Sequence, residues 1–323
     1  VPRPAHPPRP ARASSPRRGS LPRLVATDLD GTLLRSDGTV SPRTRAALLA
    51  AERAGVEIVF VTARPPRWLA PLRDVVGGHG RVICLGGAAV WDLATERALD
   101  VCGFRDDAAL DLVADLRAAV PDVALALERV EGPTFDPGFR SPADDASDPA
   151  EADVVRPVEG TLGASSTGPT PVPGPVGKIL ARRRGAAPAP DAPATRPVVV
   201  AREEDPAQER FFARVRDVVG DRAHLAYSGA AGLAELLAPE VTKDAALARW
   251  CARLGVGPHE VWAFGDMPND LPMLRWAGRS FAVANAHPDV LAAATDATAT
   301  NDADGVAKAL LGELARHGVV ADA

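Results

Sequence analysis

Leu24-Val-Ala-Thr-Asp-Leu-Asp-Gly-Thr-Leu-Leu34 is the stretch on which the fold turns. Residues 24–27 form a largely apolar run of strand length that breaks at Asp28 into a Gly-Thr turn. In α/β proteins a buried strand that stops so abruptly leaves its polar groups beyond its carboxyl end, where parallel sheets bind their ligands. Asp28 and Asp30, at i and i+2, therefore project from one backbone corner, and Gly31 allows the tight turn that follows. Two acids so placed can divide the work. One can attack an electrophile while the other moves a proton, and together they can hold a divalent cation.

Outward from this corner the chain alternates strand and helix. Ser41-Pro42 is an N-cap with proline at the first helical position, the helix runs to residue 54, and Gly55 ends it. A second strand over 57–62, a short helix over 65–73 and a third strand over 81–85 complete a right-handed βαβ series, which implies a parallel sheet covered on both faces. The alternation returns at Val241: Thr242 caps a helix to residue 254, followed by a strand over 261–265, a helix over 271–276, a last strand over 280–283 and helices near Asp289 and Asp304. The middle reads differently. A hairpin over 88–101, an amphipathic helix over 106–120 and a strand over 123–128 precede a stretch, 131–175, rich in Pro, Gly, Asp and Ser that reads as a loop or flexible insertion. Order resumes over 176–181 and 197–200, with a helix over 206–219 and strands near 223–227 and 233–237, so an α/β module is expected inside the first domain.

Composition bounds the function. With 323 residues and 46% hydrophobic content the chain can bury two cores, which excludes a disordered protein. Six arginines precede Leu24 with no acid among them, so the rest is more acidic than the overall net charge of −5. An acidic body argues against a nucleic-acid surface, which needs clustered cations. Handling phosphate would then require a local positive site. Residues 1–21 read as a disordered basic tail, without the apolar segment of a secretory signal, and no apolar run is long enough to span a bilayer. A soluble cytoplasmic protein with no membrane partner is expected. Cys84, Cys102 and Cys251 lack metal-ligand spacing and read as reduced and structural, while six scattered histidines give little support to zinc or to a histidine nucleophile.

Three further segments carry chemistry. Val59-Phe-Val-Thr-Ala-Arg64 ends a strand at Thr62, whose hydroxyl and following amides can donate to phosphate oxygens, although a threonine there can equally be a helix cap. Lys243 occupies the first turn of a helix, where a cation opposes the helix dipole. That cost points to a specific anionic partner, against the alternative of a solvated surface lysine. Phe264-Gly-Asp-Met-Pro-Asn-Asp-Leu-Pro-Met-Leu274 again breaks a strand into acids, which a turn with a capping Asn-Asp pair would also explain.

In order, strand-end placement and spacing, the four segments together resemble the haloacid dehalogenase superfamily, and the large insertion, GDMPNDLPML, and the downstream segments at 283–288 and 301–306 are similar to its Cof-type hydrolases. The resemblance implies an α/β fold with a Rossmann-like parallel-sheet core, residues 22–86 and 239–318, and an inserted α/β cap over 87–238. It implies a Mg²⁺-dependent phosphatase acting on a small phosphorylated metabolite through an aspartyl-phosphate. In that scheme Asp28 is the nucleophile and Asp30 the acid and base. Thr62, Lys243 and Asn269 bind the phosphoryl group, Asp28, Asp266 and the Asp30 carbonyl hold the metal, and Asp270 orients Lys243 or a metal-bound water. Asp30 is discriminating, since dehalogenase and P-type ATPase relatives lack an acid there. A sugar phosphomutase and a catalytically idle binding protein remain the alternatives. One departure concerns the site's mouth: Gly86-Gly87 stands where this subgroup usually has Asn-Gly. Arg64 and Arg67 can add positive charge there.

Overall fold

The apolar run after Arg23 forms strand β1 (Leu24–Asp28), buried at every position as a strand covered on both faces must be. The computed structural model describes residues 21–75, 80–139, 154–162, 174–184, 206–228 and 232–318. The Ser41 side chain accepts from the Thr44 amide and starts helix α1 (Pro42–Arg53), which leads to β2 (Glu57–Val61) and β3 (Arg81–Cys84). A hairpin, β4 (Ala89–Asp92) and β5 (Arg97–Val101), follows. Then come α2 (Asp106–Ala119), β6 (Val123–Arg129), β7 (Gly132–Phe135), β8 (Val154–Val155), β9 (Lys178–Arg183), α3 (Pro206–Val219), β10 (His224–Ser228) and β11 (Leu233–Leu237). The chain returns through α4 (Lys243–Leu254), β12 (Val261–Gly265), α5 (Leu271–Trp276), β13 (Arg279–Val283), α6 (Pro288–Ala293), β14 (Asp296–Thr298) and α7 (Gly305–Arg316).

These strands form two sheets. The eight-stranded core sheet has the order β14-β13-β12-β1-β2-β3-β4-β5, parallel from β14 to β3 and antiparallel through the hairpin. Because the chain leaves β1 toward β2 on one side and returns as β12 on the other, the strand order reverses beside β1. A crevice opens there beyond the carboxyl ends. One apolar cluster packs α1 and α7 on one face, around Leu48, Phe60, Phe264 and Leu310; the other packs α4 and α5, around Val61, Leu247 and Met273. The cap sheet, β10-β11-β9-β6-β7-β8, buries one face against α2 and α3 through Leu112, Leu125, Ile179 and Phe211.

Three expectations differ from the structure. The hairpin over 88–101 belongs to the core sheet and not to the inserted module expected from residue 87: Arg81 to Cys84 pair with Asp92 to Ala89, and Trp91 packs on the core cluster. The crossing comes later, where Phe104 and Val176 exchange backbone hydrogen bonds. The short helix expected over 65–73 is a pair of 3-10 turns, Pro66–Trp68 and Ala70–Val75, because Pro71 has no amide to donate to an α-helical ladder. Finally, parts of 131–175 are packed rather than looped. β7 pairs with β6, Phe135 and Phe139 stack with ring centroids 5.4 Å apart, and Val158 is fully buried. Arg117 ties this region down through Asp136 and Glu159. The strand is short and its composition turn-like, which dilutes the period-2 signal. Residues 1–20, 197–200 and the remainder of 131–175 lie outside the described residues; Leu21 packs on the core cluster.

Candidate active site

The site is built where β1 and β12 end side by side. Asp28 is the last residue of β1, and Asp266 follows the last residue of β12. Gly31 has φ +83°, and a Cβ there would lie 2.5 Å from Asp266 Oδ2, so only glycine lets the loop after β1 come this close to the second carboxylate. Thr32 Oγ1 donates to Asp266 Oδ1 at 2.7 Å and fixes its direction. Thr242 caps α4 by accepting from the Ala245 amide, which places Lys243 at the first helical position. Lys243 Nζ donates to Asp28 Oδ1 and to Asp270 Oδ1, both at 2.6 Å. The anionic partners expected from a cation at a helix start are therefore these two acids. Asp270 Oδ2 accepts from the Asp266 and Met267 amides, each at 3.1 Å, so both of its oxygens are engaged.

Asp28, Asp266 and Asp270 bring carboxylate oxygens within 4.8 Å of one another, and all three side chains are buried. One ammonium faces three acids. Burial raises the Asp28 carboxyl well above its usual range; Lys243 opposes that shift, and Asp270 and Asp266 add to it. Burial likewise raises Asp266 to about 7, against the pull of the Thr32 hydrogen bond and with Asp270 adding to it. Burial works against the Lys243 ammonium, but Asp270 and Asp28 outweigh it and hold its pKa above the ordinary lysine value. Under-neutralised, desolvated carboxylates at a strand-end crevice favour a hard divalent cation, and oxygen-only donors with few carboxylates suit Mg²⁺. Asp28 and Asp266 fit that role. Asp270, fully committed to Lys243 and to two amides, fits the positioning of Lys243.

Asp30 points elsewhere. Its carboxylate, partly exposed, is gripped through both oxygens by Arg64, with Nε to Oδ2 at 2.9 Å. Thr62 is buried just past β2, and its hydroxyl accepts from the Arg64 amide at 3.1 Å. Asn269 is exposed on the turn Pro268–Asp270 and, among the described residues, is not drawn into the lysine–carboxylate network. No local pattern marks Thr32, and Arg64 is marked only as a positive charge near the mouth, because a hydroxyl and a guanidinium acquire meaning from partners distant in sequence. The downstream segments, quoted above without roles, act as braces. Asn285 donates to the Gly31 carbonyl at 2.7 Å and accepts from the Asn301 amide at 2.9 Å, and Asn301 in turn holds the Leu34 carbonyl. Cys84 and Cys251, whose thiols burial pushes up to about 12, are structural. Among the described residues no helix is long and apolar enough to cross a membrane.

Comparisons with known proteins bear on the family and the fold. A family model described as haloacid dehalogenase-like hydrolase matches residues 25–132 and 193–310. YxeH of Bacillus subtilis (strain 168), provisionally named a phosphatase, is 30% identical over 292 residues, covering 89% of this chain and 97% of that protein. A shorter segment of 76 residues, 24% of this chain and 30% of its counterpart, is 42% identical to the 5-amino-6-(5-phospho-D-ribitylamino)uracil phosphatase YcsE of the same organism. Among solved structures, BT1666 of Bacteroides thetaiotaomicron, a phosphatase of the same superfamily, superposes with a TM-score of 0.68 at 22% identity, covering 94% of this chain and 98% of that one.

Proposed function

The chain belongs to the haloacid dehalogenase-like hydrolases and is a phosphatase, and from its site we propose that it hydrolyses a small phosphomonoester in two steps through an aspartyl-phosphate on Asp28, with Mg²⁺ as cofactor. The observation that carries this proposal is the chain of contacts from Asp28 through Lys243 to Asp270, with a second acid, Asp30, two residues along. Lys243 favours the carboxylate form of Asp28, the form a nucleophile needs, against the burial that raises its pKa. Its oxygen attacks phosphorus in line, and Asp30, once protonated and turned from Arg64 toward the crevice, would protonate the departing ester oxygen. Asp30 then takes a proton from water as that water attacks the phosphoenzyme, which releases phosphate and restores Asp28. Lys243, the Thr62 hydroxyl and Asn269 would hold the phosphoryl oxygens. Mg²⁺, held by Asp28, Asp266 and the Asp30 carbonyl, would neutralise phosphate charge and align the ester for attack. A small phosphorylated metabolite as substrate is supported by the name of YcsE and by a cap seated over the crevice.

The paired acids are unequal in this scheme, which makes it testable. With a donor whose leaving group needs little protonation, Asp30→Asn should slow hydrolysis of the phosphoenzyme more than its formation, so label accumulates on Asp28 after acid quench and peptide mapping. Asp28→Asn should form neither phosphoenzyme nor product. Label on another residue, or full turnover by Asp28→Asn, would sink the assignment.

A further inference from the structure

Along β6, β9 and β11 alternate residues pack on the cap helices: Leu125 and Leu127, Ile179 and Ala181, Ala234 and Leu236. The alternate positions lie on the other face and include a charged group where that face meets the core: Glu128, its cross-strand partner Lys178, and Glu235. Lys178 is 4% exposed. Its Nζ donates to Glu235 Oε2 at 2.6 Å and, across the domain boundary, to the carbonyl of Ala63 at 3.0 Å. Glu128 reaches the core as well, through Arg67 at 2.7 Å. Burial disfavours the ammonium, but Glu235 and Glu128 more than offset it, so Lys178 remains a cation.

Ala63 lies between Thr62 and Arg64, and the three carbonyls of this turn are held differently. That of Thr62 accepts from the Gly86 amide at 3.0 Å and that of Arg64 from the Leu85 amide at 2.9 Å, both within the core. The middle one is held by the cap. The Ala63 carbonyl and the Arg64 amide N–H belong to one planar peptide group, so fixing one end fixes the other. That N–H donates to Thr62 Oγ1 and thereby occupies a lone pair of the hydroxyl, leaving its proton free to point into the crevice. A single contact from the cap therefore bears on the phosphate-binding hydroxyl.

We propose that Lys178 is a positioning residue: by holding the Ala63–Arg64 peptide plane from the cap, it orders the Thr62–Arg64 turn for phosphate binding and makes that order conditional on a seated cap. The role rests on the phosphatase function proposed above. It acts on the phosphoryl end of the ester, so its loss should be indifferent to the leaving group.

The test compares Lys178→Met, Lys178→Arg and the double variant Lys178→Met with Glu235→Gln, which avoids leaving a buried carboxylate without its cation. In the double variant kcat/KM should fall by the same factor, about 10- to 100-fold, for p-nitrophenyl phosphate and for a bulkier sugar phosphate ester. Inhibition by inorganic phosphate should weaken in parallel, and Lys178→Arg, which keeps a cationic donor, should recover part of the loss. Without any substrate, amide hydrogen exchange in the peptide over 62–69 should speed up while exchange in β12 stays as in the parent. Unchanged exchange at 62–69 overturns the proposal, and so does a loss confined to the bulkier ester, which would make Lys178 a leaving-group contact. If the parent protein turns over neither ester, the phosphatase reading fails, and the exchange measurement still decides the role of Lys178.

Discussion

Thr32 shows how much of a charged site depends on an uncharged neighbour. Its hydroxyl donates to Asp266, and without it that carboxylate keeps its burial and its proximity to Asp270 but loses its fixed direction. Groups that orient a metal ligand typically carry about 10- to 100-fold in metal affinity or activity. Thr32→Val, which preserves shape, should therefore raise the Mg²⁺ concentration needed for half-maximal turnover by about 10-fold, with a smaller change at saturating Mg²⁺. An unchanged Mg²⁺ requirement would remove Asp266 from the metal site. Lys243 is a contrasting case, since its two acids make it part of the fold as well as of the chemistry.

Among elements, the start of α4 is set by what it packs against. Gly87 has φ +115°, and a Cβ there would sit 2.3 Å from the Thr242 carbonyl oxygen, so the turn after β3 fixes how closely the helix carrying Lys243 approaches. Gly87→Ala should cost about 2 kcal/mol or more in chemical denaturation and lower kcat/KM as well. Gly86 is more permissive. Its φ of +69° is a conformation asparagine tolerates, and the nearest atom to a Cβ, at 3.0 Å, is the end of the Leu237 side chain. Gly86→Asn should stay within about 1 kcal/mol of the parent in the same assay. In the cap, β7, the turn that follows it and the turn Val158–Thr161 contribute Phe135, Phe139 and Val158 to packed clusters. Replacing residues 131–175 by a Gly/Ser linker should therefore abolish cooperative unfolding of the cap, as read by calorimetry; an intact cap transition would show that this packing is dispensable.

For the molecule as a whole, the buried acids couple stability to pH and to metal. Asp266 titrates near 7 in the folded chain against an ordinary value of 3.8, so the folded state binds its proton more tightly than the unfolded one. The stability it contributes is fully present below the unfolded value and is lost as pH rises through about 7, and the raised Asp28 acts in the same direction. Mg²⁺ would compete with these protons and bind the folded chain in preference. The rise in Tm on adding Mg²⁺ should be larger at about pH 8 than at about pH 5.5. An equal rise at both would mean that the cation does not bind at these acids.

The order of the core elements and the chemistry of their ends are legible from the chain alone. Apolar runs that break into Asp28, Thr62 and Asp266 are local patterns, and a parallel sheet can be built from them in few ways. The helix-capping residues are equally local: Ser41 and Thr242 start their helices by reaching three residues ahead. Other features exist only through contacts between distant segments. The hairpin β4–β5 reads the same whether it extends the core sheet or the cap, because its pairing with β3 is set by register and not by its own composition. Thr32, Arg64 and Lys178 are ordinary residues in the sequence, and their roles arise from an aspartate 234 residues away, an aspartate 34 away and a carbonyl 115 away. A hydrogen bond is specified by distance and direction in space, to which the spacing of such residues along the chain gives no guide.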